Sequence, residues 1–511
     1  MSKLLITVGG TGSRGGSATL FGMAANMSDW FGDLYVMCMD KDTQNGTTSK
    51  FGAAMDSYDE LTKMLDKVDG RRFARFDIET KRKSWTIEGI LGKSGGDTLE
   101  SYCAPHSHKY LELFYSEKER RMTLKNGFER HPNIGSLVFE GIKANPNFIK
   151  KIEDVLRDGE RADIFIIGSI FGGTGASMFV NIAEYIREQA KQLRRDVRIG
   201  GALLLPYFNI PQAPQEEMRN DPVTDDDINE ATQTALGYYA NIPNLVCGGD
   251  VGCEPGNAIF DALYVTGLQP RCRILHERDK AVYAKGGAAQ DSECNIVDLL
   301  VASAACRFFD AVDKKNNDLE IGKSDTRQNL FIATLSKEED GDLTQIGWEN
   351  LPENTKQLRH MLCFSLAICG IFYPDYQLAK KKKFALYCRY LKNGGRNEGS
   401  VALTPLQKFC RAFLEFFFQV ASTHADGAPI CNIINRNKLE ELLEFARPDH
   451  VYTDAEAIIW ENSLSEVLSP YIQFSFSELK RELNRMYDRN GQKAASEAEL
   501  ISEIYSVCQK L

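Results

Sequence analysis

Between Ile164 and Asn181 the chain reads IFIIGSIFGGTGASMFVN, and no other stretch restricts its fold as much. The unbroken apolar run Ile164, Phe165, Ile166, Ile167 predicts a strand buried on both faces. Gly168 and Ser169 end it. Beyond Gly172, Gly173, Thr174, Gly175, Ala176 and Ser177 the apolar positions change to helical spacing, with Met178, Ile182, Ala183, Ile186, Ala190 and Leu193 on one face. A strand, a glycine-rich turn and a helix in succession can hold phosphate. Glycines let the backbone approach an anion, and the first N–H groups of a helix have no intrahelical acceptor. The hydroxyls of Thr174 and Ser177 add donors. A tight strand-to-helix connection packed for its own sake would use the same residues.

The start of the chain repeats the pattern. Residues 4–8 form a short apolar strand, followed by Gly9, Gly10, Thr11, Gly12, Ser13, Arg14, Gly15 and Gly16 and a helical stretch over 17–27. Gly10, Gly12 and Gly15 satisfy GxGxxG, and the next strand, 34–39, runs into Asp40. A dinucleotide-binding unit would look like this, with the acid on the ribose. A P-loop would need lysine where Gly16 stands. A dinucleotide site, however, has no use for a second phosphate loop at 172–177.

The remaining segments set these loops in an alternating order. Residues 45–126 suggest helices and an antiparallel hairpin around 73–90. Cys103, His106 and His108 lack a fourth ligand at metal spacing and read as a polar loop. A turn at 127–135 leads into one long helix over 136–157. Strands follow at 198–205 and 258–266, with a helix at 227–239 between them. Strands alternating with helices predict a doubly wound parallel α/β sheet whose ligand lies at the strand C-termini. Helices are expected at 354–371, 405–421, 438–446, 463–486 and 494–511, which makes the last third a largely helical domain. The run FLEFFF at 413–418 is expected to pack in a core.

At 511 residues the chain has room for two or three domains. The division expected is 1–280, a central helix within 281–315, and 316–511. Hydrophobic content of 43% and charged content of 26% are those of a soluble globular protein. A net charge of −10 argues against a nucleic-acid partner held by bulk electrostatics. The 13 cysteines form no CxxC pair, which points to free thiols in a reducing cytoplasm. The apolar run at 361–373 is too short to span a bilayer and reads as a core helix.

Five loops in this order resemble those of the tubulin/FtsZ superfamily, in a divergent prokaryotic tubulin-like form, over residues 1 to about 320. The superfamily loop GGGTGxG corresponds here to Phe171, Gly172, Gly173, Thr174, Gly175, Ala176 and Ser177, with the first and last glycines replaced. The loop at 9–16 stands in the place of the first nucleotide loop. Asp40, Lys41, Asp42, Thr43 and Gln44 are similar to its NTDAQ segment. His131, Pro132, Asn133, Ile134 and Gly135 resemble its NPExG loop, and Pro206, Tyr207 and Phe208 its proline–aromatic turn.

The resemblance implies binding of GTP or GDP with Mg2+. Nucleotide contacts fall on Gly9, Gly10, Thr11, Gly12, Gly15, Gly16, Asp40, Asp42, Pro132, Gly135 and 172–177. In the superfamily a long central helix begins at the guanine base. The matching segment, 293–312, places Asn295 and Asp298 in its first turns, where they can pair with guanine or simply cap the helix. An acidic loop after that helix completes the site of the next subunit, following the pattern NxDxxD. Asn316, Asn317, Asp318, Leu319 and Glu320 offer this with the second acid one position early, so Asp318 and then Glu320 are the expected catalytic acids.

Three functions are consistent with these residues. One is an assembly-dependent GTPase that associates head to tail into filaments or a scaffold. Another is a non-polymerising GTP-binding switch in a larger complex with unknown protein partners, reaching a membrane only through them. The third is an NAD-dependent enzyme using Gly10, Gly12, Gly15 and Asp40.

Overall fold

The computed structural model describes residues 2–42, 45–65, 72–78, 87, 98–103, 108–124, 127–128, 131–209, 224–246, 258–269, 271–273, 292–313, 330–336, 346–379, 390, 403–425, 428–487, 493–494 and 497–510. Its centre is a seven-stranded sheet. The strands are β1 (Ser2–Val8), β2 (Gly32–Met39), β3 (Phe76–Ile78), β4 (Arg161–Ser169), β5 (Asp196–Leu204), β6 (Ala262–Gln269) and β7 (Leu330–Ser336). In space they run β3-β2-β1-β4-β5-β6-β7, and every pairing is parallel. Ile6 lies opposite Met37 on one side and Ile166 on the other. All three are buried, as expected for central strands covered on both faces. The doubly wound α/β sheet is therefore present.

The helices around it are α1 (Gly9–Ala24), α2 (Gly46–Leu65), α3 (Pro132–Lys143), α4 (Pro146–Arg157), α5 (Gly173–Leu193), α6 (Asp225–Ala240) and α7 (Ile296–Asp313). α1 packs with α2 and α7, and α5 with α3 and α4. α7 is the central helix, with Leu299, Val301, Ala302, Ala305, Phe308 and Phe309 completely buried.

Several local expectations change. Residues 9–16 are not a loop, because α1 begins at Gly9 directly after β1. The expected hairpin near residue 73 is instead the edge strand β3, parallel to β2; most of 79–90 lies outside the described residues. The single helix over 136–157 is two. Pro146 cannot donate a backbone hydrogen bond, so α3 stops at Lys143 and Asn145 caps α4, its side chain accepting from the Asn147 N–H. Pro470 likewise divides 463–486.

The C-terminal part is helical: α8 (Gln357–Ala367), α9 (Thr404–Ala421), α10 (Arg436–Phe445), α11 (Asp454–Leu468), α12 (Phe476–Tyr487) and α13 (Glu497–Lys510). α8 continues through a π turn at Ile368–Phe372 into Tyr373–Ala379. The helical run Glu353–Leu378 is long and apolar enough to cross a membrane, longer than its sequence suggested, but its apolar window is 72% buried inside the protein. Phe413, Phe416 and Phe417 pack inward as expected. Phe21 of α1 sits within 5.3–5.8 Å of the rings of Phe409, Phe413 and Phe416. One hydrophobic core thus continues from the sheet helices into the C-terminal helices.

Candidate functional site

Four connections meet at the C-terminal ends of β1, β2 and β4. Gly9 turns the chain from β1 into α1 at φ +72°, and a Cβ there would lie 3.4 Å from Cβ of Thr174. The starts of α1 and α5 are therefore in contact. A Cβ on Gly10 would lie 3.0 Å from Asn45 Nδ2. Asn45 is buried, and its Oδ1 accepts the N–H groups of Thr47 and Thr48 at the start of α2. Gly135 lies so close to α5 that a Cβ would stand 2.1 Å from Ser177 Oγ, which fits the first turn of α3 against the second turn of α5. Gly127 lies beside Asp42. Helix starts carry roughly half a positive charge each and unpaired N–H groups, so this junction is electrostatically suited to an anion.

The glycines divide into two groups. Gly9, Gly10 and Gly172 border the junction. Gly12, Gly15 and Gly16 lie on the buried side of α1, where a Cβ would meet the Ile167 carbonyl, Val301, and Thr7 with Phe51. They let α1 approach β4, α7 and α2. Gly175 is pinned against Ser169, whose carbonyl oxygen would be 2.3 Å from a Cβ. Ser177 does not present its hydroxyl to the junction. It lies 2.7 Å from the Gly173 carbonyl and donates back into its own helix. Thr174 is buried, Ala176 is half-buried, and Gly172 caps α5 with extended backbone and no side-chain cap. Pro132 is exposed at the first position of α3. Thr11 is half-buried in the first turn of α1.

Asp40 and Asp42 are buried below the junction. Asp40 accepts the Asp42 N–H at 3.2 Å and the Thr48 hydroxyl at 3.3 Å. Burial, helped by the neighbouring Asp42 charge and opposed by these hydrogen bonds, pushes the Asp40 carboxyl up to about 7.

Asn295 and Asp298 begin α7 as a reciprocal cap. Asn295 Oδ1 accepts the Val297 N–H, while Asp298 Oδ2 accepts the Asn295 N–H at 2.8 Å. Asp298 is fully buried and also receives Arg14 Nε at 2.7 Å. Arg14 donates in addition to the Tyr207 hydroxyl and lies over that ring, 5.1 Å from its centroid. The other carboxylate oxygen, Asp298 Oδ1, is buried with no hydrogen-bond partner among the described residues. Burial raises the Asp298 carboxyl, and the guanidinium and the Asn295 N–H oppose it. Burial would lower Arg14, but Asp298 and Tyr207 carry it above its ordinary value, so it stays charged.

Arg14 and Asn45 are the residues that sequence reasoning passed over. Arg14 did leave a signal, as the one charged residue between Lys3 and Asp29. Arg14, Thr47, Lys50 and Cys294 are among the residues lining a cleft of about 660 Å³ between α1, α2 and α9. Thr43, Gln44, His106, Asp318 and Glu320 lie outside the described residues.

A family model described as tubulin-like matches residues 117–221, about a fifth of the chain, covering α3, α4, β4, α5 and β5. The match includes the glycine turn at 172–175 and the start of α3. No curated protein and no solved structure matches the chain. The segment that resembles the tubulin-like family lies within the parallel sheet and its flanking helices.

Proposed function

We propose that this tubulin-like chain binds a guanine nucleotide, with the di- or triphosphate at the junction of α1 and α5 and the base toward the start of α7. The observation that carries this reading is the contact between the two helix starts at Gly9 and Thr174. Two such ends offer N–H groups and partial positive charge to one anion without a lysine. Gly9 and Gly10 are the first residues of α1, so their backbone N–H groups have no intrahelical acceptor. Asp298 Oδ1, buried and unpartnered among the described residues, supplies an acceptor for the N1–H and 2-amino groups of guanine. The residues present therefore fit the nucleotide. Mg2+ arriving with the nucleotide would be held by Asp40 and Asp42, the carboxylates beside the junction, and would neutralise phosphate charge.

The finer part of the proposal is an assembly-dependent GTPase, in which Asp318 and Glu320 of one subunit complete the site of the next. It rests on the resemblance and on the order of the loops. The non-polymerising switch shares the same nucleotide site and differs only in this step. The dinucleotide reading is less well supported, because Gly12 and Gly15 of GxGxxG are occupied in helix packing and Asp40 is buried under Thr48.

The test is the nucleotide released when the purified protein is denatured, followed by calorimetry with GTP, GDP, ATP and NADH. GDP or GTP in the released fraction and preference for guanine support the reading. Tight NADH binding without guanine preference overturns it.

A further inference from the structure

A polar cavity of about 350 Å³ lies at the other end of the sheet from the junction, and its wall comes from both halves of the protein. Asn26 and Asp29 stand in the turn between α1 and β2, Arg72 and Arg75 just ahead of β3. Gln357 begins α8, and Gln509 is the penultimate residue of α13. α1 separates the two places. Its 16 residues start at the junction and end just before Asn26, about 24 Å away at 1.5 Å per residue. Arg75 Nη2 donates to the Asp29 carbonyl, and Arg72 lies 3.5 Å from the Glu503 carboxylate. Each guanidinium is thus held from one side and carries further N–H groups in the same plane. Asn26 Nδ2 donates to the Arg72 carbonyl at 2.7 Å and to the Tyr505 hydroxyl at 3.1 Å. This fixes the amide and leaves its Oδ1 buried with no partner among the described residues.

We infer that this cavity binds a small phosphate monoester, with its phosphate on Arg72 and Arg75 and its hydroxyl groups on Asn26 Oδ1 and the Asp29 carboxylate. The lining carries two guanidiniums against one carboxylate, a local positive excess in a chain of net charge −10. Planar guanidinium forks match phosphate oxygens. The two acceptors decide which anion fits. Sulfate carries no proton at neutral pH and would meet Asn26 Oδ1 and Asp29 with lone pairs alone, so the buried amide oxygen stays unpaired. A hydroxylated ester brings the missing donors. Gln357 and Gln509 offer amides that donate or accept, and the cavity has the size of a small-ligand site. A bound ester would contact the end of α1 together with α8 and α13, and so hold the C-terminal helices to the sheet.

Calorimetry on the full chain with glycerol 3-phosphate, inorganic phosphate and sulfate tests this. Glycerol 3-phosphate is expected to bind most tightly, at least about tenfold above sulfate, the scale of one hydrogen bond to a charged group. It should also raise the melting temperature, as any ligand of the folded state does. Arg75→Gln should lower its affinity about ten- to a hundredfold. Arg72→Gln should do the same and covers the case in which Arg75→Gln does not fold, since Arg72 is half exposed. Asp29→Asn should narrow the preference over sulfate, which a purely structural residue would leave unchanged. Gly172→Asp, which places a carboxylate at the start of α5, should not affect glycerol 3-phosphate. Loss of binding in Gly172→Asp with wild-type affinity in the two arginine variants would put the ester at the junction and overturns the inference. So does sulfate or inorganic phosphate binding as tightly as the ester, or no binding of the ester at all. Absence of guanine-nucleotide binding would leave this site untouched, because no residue is shared with the junction.

Discussion

Arg14 and Asp298 are 284 residues apart in the chain and meet as a buried ion pair, Nε to Oδ2 at 2.7 Å. The pair joins the second turn of α1 to the first turn of α7, two helices whose mutual position the sheet alone does not set. Removing one partner strands a charge, whereas replacing both by apolar groups does not. Arg14→Leu is expected to destabilise the protein by about 3–5 kcal/mol, and Arg14→Leu with Asp298→Leu by clearly less than Arg14→Leu alone. Urea unfolding of the two variants measures the difference. Equal or greater loss in the double variant would mean that the pair itself is strongly stabilising.

Gly172 offers a way to block the phosphate site without unfolding it. It caps α5 in extended backbone with no side-chain cap, and a Cβ there would meet nothing but Ser169 Oγ, at 3.0 Å. Aspartate at such a position is favoured over glycine by about a few tenths of a kcal/mol, yet it places a carboxylate where the phosphate is proposed to sit. Gly172→Asp should keep or raise the melting temperature and lower GTP and GDP affinity at least tenfold. Unchanged affinity in the folded variant would move the phosphates away from α5.

Asp40 predicts a pH dependence. Its carboxyl is raised from 3.8 to about 7, so the folded protein retains a proton that the unfolded chain has already released over that interval. The unfolded state then binds fewer protons, and stability falls as pH rises from about 4 to about 7, levelling off above it. A rise of that size corresponds to a loss of up to about 4 kcal/mol. Asp40→Asn should flatten this decline and be the more stable protein at pH 8. Parallel stability curves for the two proteins would mean that Asp40 is ionised throughout.

The contact of Phe409 with Phe21, at 5.7 Å, and with Tyr58, also at 5.7 Å, ties α9 to α1 and α2. Phe409→Ala should cost about 3–5 kcal/mol. Because the core is continuous, the whole protein should still unfold in one transition at a lower midpoint. Two resolved calorimetric transitions would show that the C-terminal helices fold as an independent unit.

Asp318 tests assembly. If a neighbouring subunit completes the site, GTP turnover per molecule rises with protein concentration and GTP promotes light scattering. Asp318→Ala should then retain GTP binding and lose at least tenfold in turnover, the usual scale for losing a general base or water-positioning group. Turnover per molecule independent of concentration, without scattering, would point to a site within one subunit. GTP bound but never hydrolysed would favour the switch.

Strands were legible because their signal is local. An apolar run such as 164–167 can be buried only between layers, and alternation with helical segments implied parallel pairing before any contact was known. The helix breaks at Pro146 and Pro470 were missed, because periodicity ran across both, although proline interrupts a helix through its own backbone. The glycines were visible but not their uses. Gly10 and Gly16 read alike in sequence, and only packing separates a glycine set against Asn45 at the junction from one pressed against Thr7 and Phe51. The same holds for hydroxyls and charges. Ser177 was expected to face a phosphate and is turned into its own helix, while Arg14 was passed over and meets a carboxylate far along the chain. Periodicity and the conformational limits of single residues were enough for the order of elements, the apolar faces and the places where the backbone could turn. Which glycine borders the junction, which donor is already used and which buried oxygen lacks a partner came from the packed chain, because hydrogen bonding and close packing depend on neighbours that the linear order does not bring together.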